Sequence, residues 1–243
     1  MTALILRLAG PLQSWGEHSA FTTRDTQPFP TRSGLIGMFA AAKGYRRGAD
    51  LTEFDDLEIT VRIDRPGVMI RDFHTIGGGD PHHSPRTADG KRRTPGKGTI
   101  VTHRYYLSDA AFTVAVAGPD DTIDQLAQAL TRPWWQPYLG RRSCPPDQPV
   151  LLRTAVTDPL HELRHRVPIN HARRPSIDVV LENPPADAAV TELADIPETF
   201  DSLQRRYRRR TVAVTRCTDI SDDLWHTTPA SYRTALLTYL GAS

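Results

Sequence analysis

Polar, aromatic and glycine residues near the N-terminus are suited to holding a phosphate backbone. They fall into two groups, a loop and the start of a predicted helix. The loop can hydrogen-bond and stack on a base, whereas the helix start joins unpaired backbone N–H groups to the positive end of a helix dipole. A capped helix without any ligand is the alternative for the same pattern. The candidates are Gln13, Ser14, Trp15, Arg32, Ser33 and Gly34.

Arginine clusters further along offer more phosphate contacts, because the guanidinium fork matches phosphate and also stacks on bases. The segment 140–143 places two adjacent arginines beside a glycine in a predicted loop. The run 205–210 surrounds Tyr207 with arginines, a pattern typical of nucleic-acid grooves. A solvated surface and a surface for a partner protein are the alternatives. The candidates are Arg141, Arg142, Ser143, Arg206 and Arg210.

The segment between Gly77 and Thr99 is rich in glycine, proline and polar residues and has scarcely an apolar side chain, so it cannot pack a core. Basic residues outnumber acidic ones from Asp80 to Arg104. Because strand-like segments flank it, we predict a protruding β-hairpin, or thumb, at about 77–99 that contacts a polyanion. A solvated loop without a ligand is the alternative. Its RNA-binding candidates are Arg92, Arg93, Lys97 and Arg104.

A histidine motif competes with this interpretation. His161, Glu162 and His165 satisfy the H-E-x-x-H pattern of zinc proteases, and His171 stands where an extended form of the pattern has its third ligand. That form needs glycine where this chain has Pro168, and proline cannot adopt a positive φ. All the methionines precede the motif, so the Met-turn of those enzymes is missing. We therefore predict an exposed turn rich in histidine and arginine, with no metal and no cofactor.

Hydrophobic periodicity predicts the elements that position these residues. Alternating leucines from Leu4 to Leu8 indicate a strand, with Arg7 on the opposite face. A helix is expected after Pro30, ending at Gly44, and a second one after Asp120. Two strands are expected at 57–63 and 68–76, and a hairpin formed by 100–107 and 111–117 around 108–109.

The later part of the chain is expected to add smaller elements. Trp134, Trp135 and Tyr138 are expected to pack the second helix onto the domain. The remaining expectations are a strand at 150–156, a surface excursion at 183–197, a short helix from Phe200 towards Tyr207, a strand at 211–217 and a docked helix carrying Leu236, Leu237 and Leu240.

The order strand, helix, strands, helix predicts an α+β fold with two helices on one face of an antiparallel sheet. We assign residues 1–149 to this domain and 150–243 to a smaller C-terminal region packed on it. The chain has 243 residues, of which 39% are hydrophobic, and no apolar run approaches membrane-spanning length. With no signal peptide, a cytoplasmic protein with reduced Cys144 and Cys217 is expected. A GC-rich genome also favours arginine, so only its clustering carries weight.

Several stretches resemble the CasD family, a subunit of Cascade, the type I-E CRISPR surveillance complex. The stretches occur in the family's order, and the resemblance covers residues 1 to about 157. They are Leu6–Gly16 (LRLAGPLQSWG), Phe29–Gly37 (FPTRSGLIG), Arg71–Thr75 (RDFHT), Arg104–Ala115 (RYYLSDAAFTVA) and Pro137–Pro145 (PYLGRRSCP).

The resemblance implies a ferredoxin-like, RRM-type fold of the repeat-associated (RAMP) superfamily. It also implies a non-catalytic antiviral-defence subunit that binds guide RNA and caps the 5′ handle of crRNA. The implied partners are this handle, the backbone and large subunits of Cascade and, indirectly, target DNA, with no membrane. Arg7 and His74 lie in matching stretches and become RNA-binding candidates. Arg206 and Arg210 resemble an arginine-aromatic-arginine-valine pattern near the family's C-terminus.

A metal-independent endoribonuclease is the alternative function, because relatives in another CRISPR subtype cut precursor RNA with Tyr, Lys and His. The counterparts in this chain are Tyr45, Lys97 and His103. No Lys and His stand together here, and the closer relatives leave cutting to a separate subunit. General acid–base cleavage needs a base positioned near the 2′-hydroxyl, so we expect no cleavage.

Overall fold

The computed structural model describes residues 1–17, 22–77, 99–201 and 205–241. Its helices are α1 (Arg32–Ala42), α2 (Asp120–Thr131), α3 (Pro159–His165) and α4 (Pro229–Gly241). Its strands are β1 (Thr2–Ala9), β2 (Leu12–Gln13), β3 (Thr23–Arg24), β4 (Glu58–Arg65), β5 (Val68–Ile76), β6 (Ile100–Ser108), β7 (Ala111–Gly118), β8 (Leu151–Val156), β9 (Ile177–Leu181), β10 (Val190–Thr199) and β11 (Arg206–Cys217).

A seven-stranded sheet with the order β10-β11-β9-β4-β7-β1-β8 runs through the described residues, and its neighbouring strands are antiparallel. β7 pairs with β1 on one side and β4 on the other. α1 lies in the connection from β1 to β4, and α2 in the connection from β7 to β8. The α+β prediction is confirmed.

Helices cover both faces of this sheet. Leu4, Leu6 and Leu8 share a core with α1 and α2, as the alternating leucines predicted. Ala3 and Ile5 point to the opposite face, where they pack with residues of α3 and α4. None of the helices among the described residues is long and apolar enough to cross a membrane. The helices thus pack on both faces of the sheet near β1, whereas Val214 on β11 is 48% exposed.

The expected hairpin between 100–107 and 111–117 is wrong. β6 belongs to a second sheet, in which it pairs with β2, β3 and β5, whereas β7 is a buried inner strand of the large sheet. Asp109, with φ 56°, lies between the two strands where the chain passes from one sheet to the other. Both faces of β7 are covered and both of its edges are paired, so no edge of β7 is left for β6.

The strands expected to flank the thumb are confirmed, since β5 and β6 pair in register from Val68 with Ser108 to Ile76 with Ile100. Residues 77–99 therefore connect the ends of two paired strands. The thumb prediction itself falls on 78–98, outside the described residues.

Residues 177–217 extend the large sheet beyond β4. The expected surface excursion at 183–197 is wrong in its second half, because β10 pairs with β11 from Val190 to Thr199. The expected short helix is wrong at Tyr207, which pairs with Pro197. The docked C-terminal helix is confirmed as α4, although its Leu237 is exposed.

Candidate nucleic-acid interface

An open groove of about 930 Å³ runs along one side of α1. Its walls come from the loop after β2, the loop after α1 and the chain between α2 and β8, with further residues near the ends of β10 and β11. Glu17 is the acidic residue among the described residues that line this groove. We call this groove the arginine groove, after its lining residues Arg24, Arg46, Arg47, Arg141, Arg142 and Arg205.

Small residues of α1 form the floor of the arginine groove, and the rings of Trp15 and Phe200 lie beside its two glycines. At 1.5 Å per residue the helix rises about 12 Å along this floor, which matches the length of about three stacked nucleotides. The floor residues are Ser33, Gly34, Gly37, Ala40 and Ala41. The structure thus brings six of the RNA-binding candidates to one groove, namely Ser14, Trp15, Ser33, Gly34, Arg141 and Arg142.

Trp15 supports the groove from below and does not present its indole for stacking. The side chain is 0% exposed, and its Nε1–H donates to Gln13 Oε1 at 3.0 Å. The Gln13 amide in turn donates to the carbonyl oxygens of Leu8 and Ala110. A Cβ on Gly34 would lie 2.8 Å from the Trp15 ring, so glycine is needed there for close packing. The buried indole and amide therefore act as supports for the groove.

A second glycine joins two walls of the groove. Gly140 has φ +81°, and a Cβ there would lie 1.7 Å from the carbonyl oxygen of Ser14. Next to this contact the Ser14 N–H donates to the carbonyl of Leu139 at 3.1 Å. The glycine beside the arginine pair thus fixes residues 139–142 against the loop after β2, which explains why these two predicted stretches meet.

Arg141 and Arg142 have different surroundings. The Arg141 guanidinium lies 4.7 Å from the centre of the Tyr106 ring and donates to the carbonyls of Arg24 and Asp25. Among the residues that the structure describes, its buried Nη1 has no hydrogen-bond partner, so the N–H donors of this atom are unsatisfied there. Arg142 is exposed. The pair therefore combines a fixed guanidinium with one that is accessible to a ligand.

The predicted anion site at the start of α1 is filled by the protein itself. Thr31 caps the helix through a bond from the Gly34 N–H, and the Arg32 N–H donates to the Asp195 carboxylate of β10 at 2.7 Å. The Arg32 side chain is buried and pairs with Glu182 at 2.7 Å. A carboxylate thus takes the place at the helix dipole where we predicted a phosphate.

Arg210 belongs to the same buried network and lies away from the groove surface. It donates to both carboxylate oxygens of Asp195, at 2.6 and 2.7 Å, and to Glu182 at 2.6 Å. Burial acts to lower the pKa of the Arg210 guanidinium, but Asp195 and Glu182 outweigh it, so this pKa lies above its ordinary value. Arg32 and Arg210 therefore join α1 to the C-terminal strands.

Three other candidates lie outside the groove. Arg7 packs under α4, where its Nε–H donates to the Tyr232 hydroxyl at 3.0 Å. His74 and Arg104 lie on β5 and β6 of the second sheet, and His74 is 3.3 Å from Asp72. Their proposed RNA contacts would have to be made at a separate place.

The remaining candidates are Arg206, Ser143 and the three thumb residues. Arg206 is exposed on β11 and lies 3.8 Å from Glu198. Ser143 is exposed beside the groove wall, with its hydroxyl 3.9 Å from the Cys144 sulfur. Arg92, Arg93 and Lys97 fall outside the described residues.

Trp134 and Trp135 are not packed as we expected. They are 73% and 57% exposed, respectively, and Trp135 lines the groove. The signal missed here is their position directly after Pro133, beyond the end of α2, where the chain has left the helical face that packs on the core. The sequence analysis also missed Arg46 and Arg47, although they repeat the pattern of adjacent arginines near a glycine.

The histidine motif lies on the seven-residue helix α3, where we predicted an exposed turn. Glu162 is buried and accepts a bond from the Tyr239 hydroxyl at 2.7 Å, so a structural contact occupies it. The His161 and His165 rings are 4.8 Å apart, and His165 contacts Ser221, whereas His171 contacts the carbonyl of the next residue. Among the described residues no group of three or more His, Cys, Asp or Glu side chains is arranged to hold a metal.

The two described endoribonuclease counterparts, Tyr45 and His103, lie on separate parts of the chain. Tyr45 follows α1, and its hydrogen bond to Glu53 and its burial raise the pKa of the hydroxyl above the ordinary value. A raised pKa makes tyrosine a poorer source of the anionic base at neutral pH. His103 lies on β6, where its ring centre is 5.8 Å from that of Phe73. Lys97 is outside the described residues.

Comparison with known proteins identifies the family. A family model described as CRISPR-associated protein (Cas_Cas5) matches residues 3–213. The chain belongs to the Cas5 family of CRISPR-associated proteins. The match spans all the residues that line the arginine groove.

Individual relatives of this Cas5 chain agree. It is 39% identical over 182 residues to the CRISPR system Cascade subunit CasD of Escherichia coli (strain K12). The match covers 68% of this chain and 77% of the relative. This chain is 49% identical to a chain in a solved CRISPR RNA-guided surveillance complex, with a TM-score of 0.89 over 99% of this chain and 100% of that one. A crystal structure of a Cas protein is 28% identical, with a TM-score of 0.62 over 93% and 100%. The resemblance to the CasD family is confirmed.

Proposed function

We propose that this Cas5 chain is a non-catalytic guide-RNA-binding subunit that caps the 5′ handle of crRNA in a Cascade surveillance complex. Relatives carry the names of a Cascade subunit and of an RNA-guided surveillance complex. The observation that carries the proposal is the arginine groove, because clustered guanidinium groups around a small-residue floor suit a single-stranded phosphate backbone. Target DNA is contacted only through the assembled complex.

Three exposed arginines are the main phosphate contacts in this proposal. Arg46 and Arg47 follow α1, and Arg142 stands on the facing wall. Arg141 contributes less freely, since it already contacts Tyr106 and two carbonyls. Phosphate contacts hold the RNA in place without reading its sequence, so the identity of the handle has to be read by other contacts.

The central part of the fold supports an RNA-binding role of the expected type. The strands β8-β1-β7-β4 are adjacent in that order, and one helix occupies each of the two crossover connections. From this order we propose a ferredoxin-like unit, β-α-β-β-α-β. We propose that residues 1–149 supply most of the unit and the groove, and that 150–243 add β8 and the strands that anchor α1. The proposed RNA site lies along α1, in the arginine groove, and not on the strands of this unit.

The paired strands β5 and β6 suit contact with a neighbouring backbone subunit. Met69 is 53% exposed and Phe73 63% exposed, and both lie on the same face of β5. Monomeric soluble proteins rarely expose large contiguous apolar patches, so such a patch usually marks an interaction site. We propose that this hairpin, together with the thumb, contacts a neighbouring subunit and the RNA.

The experiment is to recover RNA with the tagged chain from its native host and to sequence the 5′ ends. The wild-type chain should recover RNA with a single repeat-derived 5′ end. The Arg46→Ala, Arg47→Ala double variant should recover much less of it, because two accessible phosphate contacts are lost. The control is Arg173→Ala with Arg209→Ala, which removes the same charge from exposed pairs with Asp222 and Glu192 outside the groove.

Bulk RNA without a defined 5′ end would contradict the capping proposal. Equal loss of recovered RNA in the groove and control variants would show that RNA binding depends on net charge and not on the arginine groove. Site-specific cleavage of repeat RNA by the purified chain, lost in His103→Ala, would instead support the endoribonuclease.

A further inference from the structure

Two adjacent tryptophans stand exposed just after the end of α2. Trp134 is 73% and Trp135 57% exposed. An indole is the largest side chain, and leaving it in water forgoes the free energy of burying apolar surface. Their surroundings differ, because Trp135 lines the arginine groove, while Trp134 packs its ring over Gly44.

The backbone of both tryptophans is anchored to the groove floor. The Trp134 N–H donates to the carbonyl of Ala42 at 2.9 Å, and the Trp135 N–H donates to the carbonyl of Ala41 at 3.3 Å. These carbonyls belong to the last turn of α1, where a helix has no intrahelical donors of its own. Trp135 is therefore attached to the same helix that forms the floor, and little backbone freedom remains to be lost on binding.

Charges around Trp135 identify the class of ligand. The arginines of the groove, among them Arg46, Arg47 and Arg142, line the same cavity. A strand of RNA meets this combination with both of its parts, since phosphates pair with guanidinium groups and a base stacks on an indole. An apolar segment of a partner protein would cover the indole but would leave the arginines without anions.

We infer that Trp135 is a base-stacking platform that holds one nucleotide of the RNA strand in the arginine groove. The inference rests on the proposed function and adds to it a contact that is not electrostatic. All four bases have a π-face, so the platform tolerates any base and fixes the position of the nucleotide without reading it. Trp15, which the sequence suggested for stacking, is fully buried, and Trp135 takes that role.

Stacking and charge contacts respond differently to salt, and that difference makes the test. The purified full chain is titrated with a short single-stranded oligoadenylate at several salt concentrations. Trp135→Ala should weaken binding roughly five- to 150-fold with an unchanged slope of log affinity against log salt. Trp135→Phe should lose less affinity than Trp135→Ala, because a phenyl ring still stacks on a base. Arg46→Ala with Arg47→Ala should weaken binding and reduce the slope by about 1.4.

Trp134→Ala is the matched control, since it removes an equally large exposed indole from the neighbouring position that does not line the groove. Its affinity should stay within about twofold of wild type. Tryptophan fluorescence gives a second readout. Oligoadenylate should quench the emission of the wild-type chain and of Trp134→Phe, whereas Trp135→Phe should lose most of the quenching.

The two proposals fail in different ways. If Trp135→Ala binds like wild type while the arginine variant binds weakly, the stacking inference is overturned and the groove remains the RNA site. Equal losses in Trp134→Ala and Trp135→Ala would also overturn the inference. If neither Trp135→Ala nor the arginine variant changes binding, the inference and the proposed function fail together.

Discussion

Replacing Asp195 by alanine should destabilise the chain severely, because one carboxylate joins the start of α1 to β11. Asp195 is 0% exposed. It accepts the Arg32 N–H at 2.7 Å and two bonds from Arg210 at 2.6 and 2.7 Å. Removing the Asp195 carboxylate leaves the Arg210 guanidinium with Glu182 as its remaining acceptor in the network. Breaking a buried pair of this kind costs about 3–5 kcal/mol, a large share of the roughly 5–15 kcal/mol that stabilises a domain.

The free energy of unfolding is measured by urea titration with far-UV circular dichroism. Glu192→Ala is the control, since it removes a carboxylate from the same strand but from an exposed pair with Arg209, and we expect a loss below about 1 kcal/mol. Asp195→Asn keeps the shape and one acceptor and should fall between the two. The reasoning is refuted if Asp195→Ala shifts the urea midpoint no more than Glu192→Ala at equal slopes.

Two further predictions concern a wall glycine and a buried tyrosine. Gly140→Ala should lower the melting temperature more than Gly48→Ala. Both glycines have φ near +80°, but a Cβ on Gly140 meets the Ser14 carbonyl at 1.7 Å and one on Gly48 meets nothing closer than 3.9 Å; equal losses would mean that the contact is irrelevant. Burial, and next the bond to Glu162, raise the pKa of Tyr239, so its contribution to stability is complete below the unfolded pKa of about 10 and is lost as pH rises above it. Raising the pH from about 9 to 11 should therefore lower the free energy of unfolding of Tyr239→Phe less than that of wild type. Parallel curves of unfolding free energy against pH would contradict this.

The regular part of the fold could be predicted because its signals are local. Leucines alternating from Leu4 to Leu8 indicated β1, and helical spacing indicated α1 and α2. β10 was missed because its sequence contains Pro197 among acidic and small residues. A proline is tolerated there because β10 is the edge strand of the sheet, and a position at the edge is not visible in the local sequence.

The site could be predicted only in part, because residue type does not reveal the partner of a side chain. Arg32 and Arg142 look alike in the sequence, yet one is buried against Glu182 and the other is exposed at the groove. The same holds for Trp15 and Trp135, whose roles as support and as accessible ring depend on which neighbours the fold supplies. Hydrophobic periodicity cannot separate such cases when the residues lie in loops.

The bond between Arg32 and Asp195 also has a consequence for the timing of protein synthesis. The two residues are 163 positions apart. At about 5–20 residues per second, the ribosome adds Asp195 on the order of 10–30 s after Arg32. During that interval the residues of α1 have been synthesised, but the carboxylate that binds the start of that helix has not. The arginine groove can therefore reach its final form only after β10 has been synthesised, late in translation.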